Sequence, residues 1–260
     1  MGEFTGVLHV HSTFSDGAMS LPEIRDWAAG ENLDFVCVTD HSDALRDGGI
    51  EAYISACEQI SNEVLMVPGV EFSGLGRHVI ALATPDVLMD LTDDTVVHCP
   101  ELLRERGGLT IWAHPAQTYA VSMRNAINAA YDGWEIWNVK VDGDHPNLVL
   151  AGLLERMERE RSILPFRGLD LHRVPSSETP MPRTTIHVDE LSIETVVDSF
   201  RRGSYLMPDE REWGARHEVD GHLSRKISSL SARIRHSIVR ARCSTAITLH
   251  HALKPLKLTR

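Results

Sequence analysis

No apolar run in the 260-residue chain is long enough to cross a bilayer. The N-terminus also lacks the basic patch and apolar stretch of a secretory leader, and Gly6 stands where a myristoylation site needs Ser or Thr. Cysteine is scarce and scattered. Cys37, Cys57, Cys99 and Cys243 make no Cys-x-x-Cys pair, which argues for reduced thiols in a cytoplasmic protein over a disulfide scaffold. Aromatics are only 6% of the chain, so the core is expected to be aliphatic. Lysine is nearly missing from residues 1–220, where Lys140 stands alone. Acid is missing from residues 221–260, which hold nine Lys and Arg and no Asp or Glu. The formal charge of -11 therefore combines an acidic body with a basic tail.

What is present is a series of short apolar runs, each bordered by His, Asp or Glu. Val7-Leu8-His9-Val10-His11 reads as a strand whose alternation puts both imidazoles on one side. Ser20-Leu21-Pro22-Glu23 has the spacing of a capping box, and the helix that follows carries Ile24, Trp27 and Ala28 inward. Residues 34–39 form a nearly continuous apolar run, suited to a strand covered on both faces, and end in Asp40-His41. Further strands are expected over 64–67, before Pro68-Gly69-Val70-Glu71, and over 77–82, beginning with Arg77-His78. Others are expected over 109–113, ending in His114-Pro115, over 133–138, and over 163–169, delivering Asp170 and His172. Helices are expected over 50–62, 100–106, 146–161 and 189–202. Residues 175–182 read as a Pro-rich loop, and 205–207 as a last short strand.

Alternating strands and helices indicate parallel βα units. An open doubly wound sheet would carry a Gly-rich phosphate loop after its first strand, and there is none. The expected fold is α/β, its seven strand candidates suggesting a barrel more than an open sheet over residues 1–212, with a basic helical extension over 213–260. In such barrels chemistry gathers where the strands end. In the extension, Leu223, Ile227, Leu230, Ile234 and Ile238 form an apolar stripe interleaved with Arg and Lys. An anionic surface, a nucleic acid or a partner subunit are its functional contacts; packing on the barrel is the plainer one.

His9-x-His11 with Ser15-Asp16-Gly17, Thr39-Asp40-His41, Pro68-Gly69-Val70-Glu71, His78-Val79-Ile80, Ala113-His114-Pro115 and Asp170-Leu171-His172 resemble, in order, the motifs of the polymerase and histidinol phosphatase (PHP) domain family. The resemblance runs from residue 7 to about 207. It implies a distorted (β/α)7 TIM-like barrel with two or three divalent metal ions at the C-terminal ends of its strands. His9, His11, Glu71 and Asp170 would hold the first; Glu71 would bridge to a second on His78 and His114; Asp16, His41 and His172 would hold a third. Imidazole and carboxylate ligands without thiolate suit Zn, Mn or Fe. Metal ions at that point suit phosphoester hydrolysis by a metal-bridging hydroxide, with Glu71, Asp170 and His172 central to the chemistry.

The expected substrate is a small phosphomonoester, a nucleotide or sugar phosphate. A phosphodiesterase or nuclease of the same family is the alternative, nucleic acid being less favoured because the acidic body offers no long basic groove. A metal-binding barrel without turnover, serving as an interaction module, is a third reading. An amidohydrolase with a carboxylated lysine fits poorly, Lys140 being the one lysine of residues 1–220. His98 rivals His78 as a ligand, but His78 opens an apolar strand. Asp40 is expected to orient His41, and Arg77, Arg167 and Arg173 are candidate phosphate holders or plain surface residues. The departures from the family pattern are Leu169 and Leu171, bulky neighbours of Asp170. The short stretch between His78 and His114 leaves little room for a lid, so an open site is expected.

Overall fold

The computed structural model describes residues 1–46, 49–74, 76–115, 131–147, 150, 154, 163–207 and 219–220. The chain divides into units Met1–Leu223 and Ser224–Arg260, and the described residues all belong to the first. The stripe of the basic tail, the expected boundary at 212 and most of the helix expected over 146–161 lie outside them.

Strands β1 (Gly2–Val10), β2 (Phe35–His41) and β3 (Leu65–Gly74) run parallel, joined by α1 (Leu21–Gly30) and α2 (Gly49–Ile60). α1 begins as its sequence predicts, with Ser20 N donating to Glu23 Oε2 at 2.8 Å. Its Leu21, Ile24 and Ala28 are buried, and Trp27 packs half-buried on the core. Strand β4 (Arg77–Leu82) returns antiparallel to β3 through a tight turn containing Gly76 at φ 71°. So few residues cannot make a parallel crossover, which needs a dozen or more. β4 therefore breaks the expected uniform βα alternation, running against both β3 and β5 (Leu109–Ala113). The short helices α3 (Pro85–Leu88), α4 (Asp93–His98) and α5 (Pro100–Glu105) separate β4 from β5. Strands β6 (Gly133–Asn138) and β7 (Leu164–Gly168) restore the parallel order, with α6 (Val139–Asp142) directly after β6.

The sheet then nearly closes on β1. Leu169 N donates to Leu8 O (2.9 Å), Leu171 N to His9 O (3.1 Å), and His11 N to Leu171 O (2.9 Å). The first half of β1 takes a different neighbour, pairing antiparallel with β8 (Thr184–Val188). β8 leads through α7 (Ile193–Arg202) to β9 (Tyr205–Met207), which β10 (Val219–Asp220) extends. The result is a mixed α/β fold around a curled, barrel-like ten-stranded sheet.

Side chains on the concave face form one apolar cluster. Leu8, Phe35, Cys37, Val67, Ile80, Ile111 and Phe166 meet Val196, Val197 and Phe200 of α7 there. These residues lie toward the N-terminal ends of the parallel strands, so α7 stoppers that end. Each fully buried large side chain contributes about 1.5–3 kcal/mol. The convex face carries Val7, Val36, Val38, Val70, Val79, Trp112 and Trp134 against the helices. With one end filled by apolar packing, the polar residues collect at the other.

Candidate metal centre

Alternation along each strand predicts which residues reach that end. On β2, Phe35 and Cys37 face inward, so Thr39 and His41 follow and Asp40 faces out. On β3, Val67 leads to Glu71, and on β4, Ile80 leads back to His78. β1 breaks the rule. Val7 packs on the convex side and Leu8 on the concave side, so plain alternation would send His9 and His11 outward with Val7. A bulge between Leu8 and Val10 prevents this, with His9 in the left-handed region at φ 70°. The shared side of the two histidines is thus reached through a bulge, not through the alternation the sequence suggests. His114 (φ 31°) and Asp170 (φ 53°) are left-handed as well. Among the described residues only Asn32 is another non-glycine with positive φ. Such backbone costs about 1–3 kcal/mol per residue and concentrates at functional sites.

All nine residues singled out in the sequence come together. Glu71 is central: its Oε1 lies 2.9 Å from His78 Nδ1 and 3.1 Å from His114 Nε2. Its Oε2 lies 3.2–3.3 Å from His9 Nε2, His11 Nε2 and His41 Nδ1. Asp170 Oδ1 is 3.7 Å from His9 Nε2, 3.6 Å from His11 Nε2 and 3.4 Å from His172 Nδ1. Asp16 reaches His172 Nε2 at 3.1 Å, and His11 Nδ1 and His41 Nε2 at 3.6 Å. Candidate ligand atoms lie within 4.8 Å of one another in four overlapping groups: His9, His11 and Glu71; His41, Glu71 and His78; His9, His114 and Asp170; and His11, Asp16, His41 and His172. His98 sits exposed at the end of α4, whereas His78 touches Glu71.

The electrostatics follow from crowding. Burial disfavours the charge on Glu71, yet the field of His9, the closeness of His11 and the hydrogen-bonded rings of His114 and His78 hold its pKa well below the usual carboxylate range. Asp170 is likewise penalised by burial but drawn down to about 2, chiefly by His9, with Lys140 and His114 adding to the pull. Burial lowers the pKa of His9, and the combined fields of Glu135, Glu71 and Asp170 reverse this, raising it well above normal. His11 goes the other way: burial dominates and lowers its pKa. His9 Nε2, both ring nitrogens of His11 and His114 Nδ1 are buried without hydrogen-bond partners. Buried polar atoms are normally satisfied. Four unsatisfied imidazole nitrogens beside two buried carboxylates fit the donor set of divalent metal ions.

One member of the centre escaped the sequence reading. Glu135, fully buried on β6, accepts from His9 Nδ1 (2.7 Å), His114 N (2.7 Å) and Asn138 Nδ2 (2.9 Å). It fixes the His9 ring with Nδ1–H donating, leaving Nε2 for a metal, and it holds the left-handed backbone of His114. Its signal was a lone carboxylate inside Gly-Trp-Glu-Ile-Trp-Asn, an otherwise uncharged run.

Other expectations need revision. Asp40 does not orient His41. It accepts from Ser12 N (2.8 Å), Ser12 Oγ (2.6 Å) and Ser15 Oγ, pinning the turn that carries Asp16. Arg77 is neither a surface residue nor a phosphate holder: it is buried on the convex side, donating to Tyr131 Oη at 3.2 Å. Arg167 is buried over the Trp137 ring. Arg173 is exposed. Lys140, dismissed for a carboxylated-lysine site, nevertheless reaches Asp170 Oδ1 at 3.3 Å.

A barrel-like sheet with histidines and carboxylates converging at one end is the architecture of a candidate metal centre. The model of the PHP domain matches residues 8–159, more than half the chain, and the chain belongs to the PHP domain family. A two-domain protein from Bacteroides vulgatus with a predicted PHP-like metal-dependent phosphoesterase shares the fold, with a TM-score of 0.57 and 16% identity over 79% of this chain and 64% of that one. A proposed metal-dependent phosphoesterase from Bifidobacterium adolescentis is more distant, with a TM-score of 0.42 and 15% identity over 64% of this chain and 87% of that one. In sequence, a 46-residue stretch is 39% identical to the DNA polymerase/3'-5' exonuclease PolX of Bacillus subtilis, covering 18% of this chain and 8% of PolX. The chain thus spans less than two thirds of both PolX and the Bacteroides protein. Among the described residues, no helix is long and apolar enough to cross a membrane.

Proposed function

We propose that the protein is a cytoplasmic phosphatase that hydrolyses small phosphomonoesters, such as a nucleotide or sugar phosphate, with two or three Zn, Mn or Fe ions. The observation that carries this is the arrangement around Glu71, whose two oxygens each face a different set of imidazoles. Glu71 would be shared between two ions in this reading. His9, His11 and Asp170 would hold one with it, His78 and His114 a second, and Asp16, His41 and His172 a third. When bound, divalent ions would bring a water toward deprotonation at neutral pH and offset the charge of the phosphoryl group. The chain's own residues do the rest. Glu71 and Asp170 remain ionised, since both carboxyls lie far below their usual range. Glu135 orients His9, and the Asp40 contacts to Ser12 and Ser15 orient Asp16. His172 sits toward the rim, with Nδ1 2.9 Å from Asp170 O and Nε2 3.1 Å from Asp16 Oδ2, a place from which it would hold an ion together with Asp16 and His41.

The preference for small substrates rests on charge and access. Asp16 and His78 are 56% and 36% exposed, so the rim is open, while the net charge of residues 1–220 is strongly negative and repels a polyanion. A diester or nuclease reading is the second choice, favoured by that open rim and by the local similarity to PolX. The test is a screen of the full chain, loaded in turn with Zn, Mn and Fe, on monoesters and diesters side by side. Preferential release of phosphate from monoesters is expected. Faster cleavage of diesters selects the second reading, and stoichiometric metal without turnover of any ester selects the interaction module.

A further inference from the structure

We infer that Lys140 is the side chain that grips the substrate's non-bridging phosphoryl oxygens, an inference that rests on the phosphoester reading above. Lys140 is the one lysine of residues 1–220, and it emerges from α6 at the rim of the metal centre. Its backbone is tied to the cluster two residues upstream. Asn138 Oδ1 accepts from Val141 N (3.1 Å) to cap α6, while its Nδ2 donates to Glu135 Oε2 (2.9 Å) and approaches Asp170 Oδ2 (3.3 Å). The stem is therefore rooted in the same hydrogen-bond network that orients His9.

The ammonium group lies 3.3 Å from Asp170 Oδ1, and 3.1 and 3.3 Å from the two ring nitrogens of His172. Those nitrogens also face oxygen acceptors, Nδ1 the carbonyl of Asp170 (2.9 Å) and Nε2 a carboxylate oxygen of Asp16 (3.1 Å). Asp170 is thus the anion that answers the ammonium. A divalent ion on Asp170 competes directly for that carboxylate, and two cations repel at such range. The lysine is free to yield: its side chain is 50% exposed, on a flexible four-carbon stem. Turned from Asp170, the ammonium stands at the rim beside the metal ligands, where a dianionic phosphoryl group would meet it. Of the basic residues flanking ligands, Arg77 on β4 and Arg167 on β7 are committed to the Tyr131 and Trp137 rings, and Arg173 is exposed beside His172. Lys140 is distinguished from Arg173 by its direct approach to the ligand carboxylate Asp170.

The test compares wild type with Lys140→Met and Lys140→Arg as full-length, metal-loaded proteins. Three quantities are read: binding of inorganic phosphate by calorimetry, KM and kcat for a phosphomonoester, and bound metal per chain. Lys140→Met is expected to weaken phosphate binding and raise KM by about ten- to a hundredfold, the loss typical of one charge-assisted contact, with metal content and kcat changed far less. Lys140→Arg should recover part of the phosphate affinity. Unchanged phosphate affinity in Lys140→Met overturns the assignment, as does metal lost in step with activity, which would make Lys140 a support of the metal site. A metal-loaded wild type that neither binds phosphate nor cleaves any ester defeats the phosphoester reading itself.

Discussion

Glu135 shows how much one uncharted residue controls. It reaches His9 through the ring and His114 through the backbone, and its field is the largest of those raising the His9 pKa. Glu135→Gln keeps the shape but weakens the acceptor, and metal affinity is expected to fall about 10- to 100-fold in competition with a chelator. Asp170→Ala should abolish activity and remove one metal from the count, and an active variant with full metal would undo the ligand assignment. The pH dependence has a definite sign in the metal-free protein. His9 and His78 have folded pKa values above the usual 6.5. The stability they contribute is complete below 6.5 and is lost as pH rises through the raised folded values. Denaturation midpoints of metal-free protein, compared with His9→Gln across that range, measure the loss. Metal binding runs the other way: an ion must displace the His9 proton, so affinity rises with pH and uptake releases protons, which calorimetry in two buffers detects.

At the level of elements, the legible part was what depends on local pattern. The apolar runs that became β4, β5 and β6 match their expected bounds, β2 lies within two residues of its own, and the capping box starts α1 where predicted. The nine site residues were legible too, because each borders such a run. What escaped depends on partners distant in sequence. Strand β8 was hidden after a Pro-rich loop, and its reason for existing is the free edge of β1, some 180 residues away. The bulge at His9 and the left-handed turn at His114 leave no trace in hydrophobic pattern, since their support comes from Glu135. Gly168 at the end of β7 belongs to this class. A Cβ there would overlap Glu135 Oε1 and press on His9 Cβ at 3.1 Å. The carboxylate cannot step aside without breaking three buried hydrogen bonds. Gly168→Ala is therefore expected to cost about 1–3 kcal/mol in chemical denaturation and to weaken metal binding with it.

For the whole molecule the decisive quantity is charge. Residues 1–220 hold 17 Lys and Arg against 37 Asp and Glu, a net of -20, and residues 221–260 bring +9. An anionic ester diffusing toward the metal centre therefore meets a repulsive field at long range and attraction from bound ions only at close range. The tail moderates the far field whatever its contacts, because net charge governs that field beyond the size of the molecule. All nine proposed ligands precede residue 173, so a chain ended after Gly221 is expected to keep its fold and its metal count, by circular dichroism and elemental analysis. Its kcat/KM for a small dianionic monoester should fall relative to the full chain at low salt. The gap should close as ionic strength approaches 0.15 M, where the screening length shrinks to about 8 Å. A gap that persists at high salt would mean that the tail acts through a specific contact with substrate or barrel, and loss of metal on truncation would make the extension part of the fold.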